Sequence, residues 1–405
     1  MNGKGNDGEG RWKERWWATL AGAVLAAAFL GPGTITTASR AGASHGAALL
    51  WTLLLATLAC FVLQDAAARL TIGSGMPLGA ALRRRFGLRA AAVVALAVVI
   101  GCAAYEAGNI LGGVAGARMV LDFGIVPLTV ASSTLAFALL WVGRTGVVTT
   151  VLSALVATMG LAFLVTAVGL RPELGELLRG LAVPTMPAGA GLLLLGLVGT
   201  TVVPYNLFLG SGLAQEREGS ASRFGLAVAI GLGGLVSMAV LVVGTAVVGD
   251  FGFDALAEVL ADRLGGWAVT FFGLGLFAAG FTSAVTAPLA AAWTAQGLFS
   301  DEETKQAWSL RGRWFRVVWI VVLLTGTLFG VLGVQPIPVI ILAQAANALV
   351  LPFVSVFLWA VTADRELVGE QAHGPVGRGL LAAVVLLTVA LGARGAWGAI
   401  VSLLG

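Results

Sequence analysis

The chain has 405 residues, of which 58% are hydrophobic and 11% charged, with a mean hydropathy of +0.95. An ordinary soluble domain carries roughly 25% charged residues, so this balance excludes a water-soluble globule and points to an all-α integral membrane protein. The net charge of +4 comes from basic residues scattered among apolar runs, which report topology rather than a nucleic-acid surface.

Stretches of about 20 apolar residues, the length needed to cross a bilayer, predict about eleven transmembrane helices. They fall near 17–40, 47–70, 90–117, 125–142, 147–170, 190–213, 224–249, 267–298, 314–334, 338–362 and 378–402. RWKERWW, residues 11–17, leads into apolar sequence that continues as a full span, which reads as an anchored first helix rather than a cleaved leader. With a cytoplasmic N-terminus, 18 of the 24 lysines and arginines fall in inner segments. That bias predicts a multi-pass protein of the cell (inner) membrane in this orientation.

The first span is interrupted by GPGT, residues 31–34, and the sixth by GTTVVPYN, residues 199–206. A proline cannot donate its backbone hydrogen bond, and lipid cannot satisfy the groups that such a break frees, so each break is expected to face a protein-lined cavity. Matched breaks in spans one and six predict an inverted repeat of five plus five helices within a single 1–405 domain. The first repeat covers 17–170 and the second 190–362, with an extra C-terminal helix at 378–405. Half-helix ends in the cavity would bring partial charges able to hold an ion or polar solute.

A charge inside the hydrocarbon costs about 2.5–3.5 kcal/mol on insertion scales, so each one needs a reason. Glu106, with Asn109 three residues on, lies well inside span three. It reads either as a proton carrier or as the partner of Arg40 or Arg118 in a structural ion pair. Arg40 itself could pair with Glu106, attract an anionic solute, or snorkel to the interface. Asp65 and Arg69, four apart, suit an intrahelical pair. Gln344 and Asn347 share one face of span ten, and Tyr205 and Asn206 follow Pro204 at the second break. Cys60 and Cys102 lie in apolar runs, His45 and His373 are far apart, and no nucleophile triad or phosphate loop occurs, so neither an enzyme nor a resident cofactor is expected.

Five segments then carry a resemblance. GPGTITTASRAGASHGAALLW (31–51), YEAGNILGG (105–113), TVVPYNLFL (201–209), GFTSAVTAPLAAAWTAQGL (280–298) and LAQAANALVLPF (342–353) resemble, in order, conserved helices of the Nramp family of proton-coupled divalent-metal transporters. The resemblance implies the LeuT-type fold with broken helices 1 and 6. It places the metal site at Gly31, Thr34, Val203 and Gln344, with Tyr205 at the family's histidine, and the proton route at Glu106 and Asn109; the reading of the residues themselves adds Thr37 and Asn206 to the candidate substrate site and Arg40 to the candidate proton-coupling groups. The family's metal-binding Asp, Asn and Met are here Gly31, Thr34 and Val203, which leaves Thr34 and Gln344 as oxygen ligands. Losing the acid and the soft sulfur weakens attraction for transition metals. Two transport readings remain: a metal ion taken with altered selectivity, driven by protons, or a small organic or anionic solute bound by Thr34, Thr36, Thr37, Tyr205 and Asn206. A non-transporting sensor is a third. The bilayer and a small ion or solute are the expected partners, with neither nucleic acid nor a protein partner indicated.

Overall fold

The computed structural model describes residues 30–143, 146–214 and 220–404, and these are entirely helical and loop, with no strand among them. The helices, in chain order, are α1 (Pro32–His45), α2 (Leu50–Ser74), α3 (Leu78–Arg118), α4 (Ile125–Val142), α5 (Gly146–Gly169), α6 (Leu174–Ala182), α7 (Gly191–Thr201) and α8 (Pro204–Ala214). They continue with α9 (Ser220–Gly244), α10 (Phe253–Leu264), α11 (Trp267–Phe299), α12 (Arg313–Val331), α13 (Pro336–Thr362), α14 (Arg365–Val368) and α15 (Pro375–Leu404).

Ten stretches among the described residues are long and apolar enough to cross a membrane. Ten stand where eleven were expected because α1 runs on through a short 3-10 turn (Gly46–Leu49) into α2 as one apolar stretch. Residues 17–29, the start of the expected first span, lie outside the described residues. The 14 residues of α1 reach about 21 Å at 1.5 Å per residue, too short to cross alone.

Span three differs from expectation at its start. The arginine-rich stretch before it forms the beginning of α3, and the chain turns at Gly87, whose φ of 79° and ψ of 177° suit only glycine. The short helices α6 and α10 were not expected either. Each carries charged residues on one side, and from the sequence alone each reads as a loop.

The buried apolar residues form a cluster at each end of the bundle. One gathers Leu63, Leu78, Leu298 and Leu358, the other Ile35, Leu197, Val240 and Leu276, and a third lies between α3, α4, α11 and α12. We name the two ends after Asp65 and Arg40. Lipid offers no hydrophobic drive between helices, so close packing must come from small residues. Gly113 of α3 meets Gly280 of α11, and Gly116 meets the Gly273 carbonyl, which brings those two backbones together. Leu96, Ile100, Val168 and Val321 point outward, as a lipid-facing surface requires.

Candidate functional site between the helix breaks

The second break is fully described. Helix α7 ends at Thr201, Val202 leaves helical geometry at φ −114° and ψ 83°, and α8 begins at Pro204. Pro204 has no N–H, so the donor that a continuous helix would aim at the Thr200 carbonyl is missing. Of the first break, the described half starts with Gly31 in extended geometry (φ −76°, ψ 169°), followed by Pro32 in the first helical turn of α1. Proline suits that position because its N–H would be unsatisfied there in any case.

The two breaks face each other. Thr34 Oγ1 of α1 and Thr200 Oγ1 of α7 hydrogen-bond at 2.8 Å, both residues buried. The Gln344 side-chain amide of α13 lies directly against Gly33, in the space a larger residue at 33 would need, and Gly199 of α7 abuts the Gln344 backbone. Gln344 therefore holds its amide between the two broken helices because two glycines leave room for it. Thr37 stands against Gly196 of α7. Gln344 Oε1, Thr36 Oγ1 and Thr37 Oγ1 are buried with no hydrogen-bond partner. Other buried polar atoms of the bundle, such as Thr129 Oγ1 and Thr166 Oγ1, are unpartnered too, and what sets Gln344 and Thr37 apart is that they lie against the two broken helices.

Around them, Val203 and Tyr205 are buried and Asn206 is half-buried, its N–H closing onto the Val203 carbonyl at 3.0 Å. Tyr205 meets Tyr105 of α3 edge to face, with ring centroids 5.7 Å apart. Tyr105, Thr200 and Ser283 escaped sequence reasoning. Tyr105 and Ser283 lie in long apolar helices whose inward face composition alone does not reveal, and Thr200, though inside the second break, has nothing in its sequence to single it out from Thr201.

The acid sits elsewhere. Glu106 is fully buried and backs onto Gly326 of α12, and its Oε2 accepts from Asn109 Nδ2 at 3.4 Å. Glu106 Oε1 and Asn109 Oδ1 have no partner. Neither of the arginine partners open to Glu106 is used: every ion pair among the described residues lies at the Asp65 end. The Arg40 guanidinium instead covers the Phe251 ring at 5.5 Å from its centroid. It lines a cavity of about 680 Å³ with Ser44, His45, Gln335 and Ile341. Arg118 lines a neighbouring cavity of about 330 Å³ with Asp254 and Gln335. Asn347, expected beside Gln344, turns to Gly101 of α3. Asp65 and Arg69 do pair, at 2.9 Å.

No cluster of three or more His, Cys, Asp or Glu side chains among the described residues could hold a metal ion. The break offers neutral oxygens only. Residues 22–398 match the sequence model of the natural resistance-associated macrophage protein-like (Nramp) family. The chain belongs to the Nramp family. Relatives of this Nramp chain include the divalent metal cation transporter MntH of Klebsiella pneumoniae, 27% identical over 94% of this chain and 93% of the relative. The MntH of Yersinia enterocolitica is 26% identical, covering 91% and 92%. The crystal structure of an Eremococcus coleocola manganese transporter, bound to an aromatic bis-isothiourea substituted compound, superposes with a TM-score of 0.72 at 21% identity, over 97% of this chain and 88% of that one. The fold is thus the LeuT-type fold of Nramp transporters, and the protein is a multi-pass membrane protein.

Proposed function

We propose that this Nramp member is a secondary transporter that moves a metal ion, with altered selectivity, through the space between the two helix breaks, driven by protons. The observation that carries the reading is the set of unpartnered buried oxygens there. Gln344 Oε1 lies against Gly33 of α1 and the Thr37 hydroxyl against Gly196 of α7, the two helices that carry the Thr34–Thr200 pair. Carbonyl, amide and hydroxyl oxygens are hard ligands, suited to hard cations, and Val203 supplies no sulfur for a soft one. Thr34 and Gln344 are the side-chain ligands in this reading, with Gly31, Thr37, Val203, Tyr205 and Asn206 shaping the space. Glu106 and Asn109 carry the proton, as the one fully buried carboxylate among the described residues and its hydrogen-bond partner. The MntH relatives, named as divalent metal cation transporters, favour metal as cargo.

In this scheme the protein sits in the inner membrane with its N-terminus and the Asp65 end cytoplasmic. The halves 17–170 and 190–362 act as the inverted repeats, and 378–405 as an added helix. A second reading, a neutral or anionic organic solute, is favoured by one observation: the 680 Å³ vestibule presents Arg40 and His45 but no carboxylate.

Uptake into proteoliposomes tests both. Magnesium and manganese flux that rises with an inward proton gradient, and loses that dependence by tenfold or more in Glu106→Gln, is the expected result. Absence of metal flux alongside solute flux would overturn the metal reading.

A further inference from the structure

Gly31 stands where the family resemblance expects an acid, and the space beside it is tight. A Cβ built on Gly31 would lie 3.1 Å from the Tyr105 hydroxyl and 3.5 Å from Ser283 Oγ. The second distance is ordinary contact, while the first is tighter than most, so the phenol would have to give by a few tenths of an ångström for a Cβ and by more for a carboxyl group directed at it. The phenol has little freedom to swing aside. Tyr105 is only 5% exposed, and its ring is packed against Tyr205, which directly follows Pro204 at the opposite break. Moving Tyr105 therefore disturbs both sides of the site at once.

We propose that Tyr105 is a specificity-determining residue: its hydroxyl occupies the place of a side chain at position 31, and Gly31 is the residue that admits it. Where an acid would offer a charge, the site offers a neutral hydroxyl, with Ser283 beside it. A dication binds more tightly beside an anionic ligand than among neutral oxygens alone, so a site of hydroxyls, an amide and carbonyls holds one weakly and without favouring transition metals. Tyr105 and Gly31 form a matched pair, so changing one alone does not restore the acid site. The inference rests on reading the breaks as the substrate site.

The experiment is manganese binding by calorimetry to the purified full-length protein at neutral pH, comparing parent, Gly31→Asp, Tyr105→Ala and the double variant. Gly31→Asp alone should leave affinity within about twofold of the parent, because the carboxylate is crowded out, and Tyr105→Ala alone should gain nothing. The double variant should bind about tenfold tighter or more, a coupling within the range of contacting residues. Gly31→Asp/Tyr105→Phe keeps the ring and removes only the hydroxyl, so it serves if the alanine variant does not fold, and should show an intermediate gain. A single Gly31→Asp variant as tight as the double, or a folded double variant with no gain, overturns the proposal. Val203→Met, at the second break, checks the site itself by cadmium binding, where a new sulfur should tighten binding about tenfold. If it does and the double variant gains nothing, Tyr105 alone loses its role. If it does not, the breaks lose theirs, and the manganese series still decides whether Tyr105 blocks position 31.

Discussion

The two ends of the bundle are built on opposite principles. At the Asp65 end, polar groups tie helices together. Ser211 Oγ of α8 meets Thr71 Oγ1 of α2 at 2.8 Å and accepts the Leu78 N–H of α3 at 2.6 Å. Asp65 of α2 receives Arg69 at 2.9 Å and Arg223 of α9 at 2.8 Å, while Arg83 reaches Asp301 at 3.1 Å and Arg85 reaches Asp364 at 3.2 Å. The Thr304 hydroxyl and N–H, helped by Arg83, hold the Asp301 carboxyl down to about 2. At the Arg40 end two cavities of about 680 and 330 Å³ open instead, bridged by Gln335. In the transport scheme proposed above, these ties are the contacts that would have to break for the Asp65 end to open.

The contrast yields its strongest test at Asp65→Asn, which leaves two guanidinium groups without their shared carboxylate. Breaking a fully buried pair costs about 3–5 kcal/mol, and these arginines are 25% and 54% exposed, so a loss of about 2 kcal/mol is expected in thermal unfolding. A cysteine at the buried Leu207, in a background with Cys60 and Cys102 replaced by alanine, should also label faster with a polar maleimide. A loss of stability without faster labelling would mean that the ties do not act as a gate. Ser211→Ala comes next. It strands the Leu78 N–H, while the Thr71 hydroxyl keeps its bond to the Ala67 carbonyl, for about 1 kcal/mol, with labelling moved in the same direction.

The smallest effect belongs to His373, in the loop before α15. Burial, and then the charge of Arg69, hold its imidazole below the ordinary range; Arg223 and Arg378 act the same way, and Asp65 opposes them. A base weakened by folding takes up its proton more readily in the unfolded chain. The folded state therefore keeps its full stability above about pH 6.5 and loses stability as the pH falls below that value. His373→Gln should flatten that slope in melting curves recorded from pH 5 to 8, by less than about 0.5 kcal/mol. An unchanged slope would assign the acid sensitivity to another group.

Hydropathy and proline made most of this architecture legible. The span from Ile125 to Val142 falls where expected, and the break at Pro204 is written in a residue that cannot continue a helix. The short helices α6 and α10, of 9 and 12 residues, went unread because a search for apolar stretches of about 20 residues passes over charged segments of that length. Within the candidate site, Thr34 and Gly31 have an address at the first break, and Gln344 is reached through the polar face of span ten and the family resemblance of its segment. Tyr105 and Ser283 could not be placed, because a helix apolar on every side does not encode which face looks inward. The absent pairing of Arg40 with Glu106 has the same cause: nothing in spacing along one helix fixes its rotation against another.

One packing detail bears on how any opening would reach the site. Gly42 of α1 presses on the Leu241 carbonyl of α9, and Gly244 of α9 presses on the backbone of Ser39. Two main chains in direct register, with no side chains between them to rearrange, cannot slip past each other cheaply. Helices α1 and α9 consequently behave as one lever, and a tilt applied to either is delivered to Gly33 and Thr34 as displacement rather than absorbed as deformation.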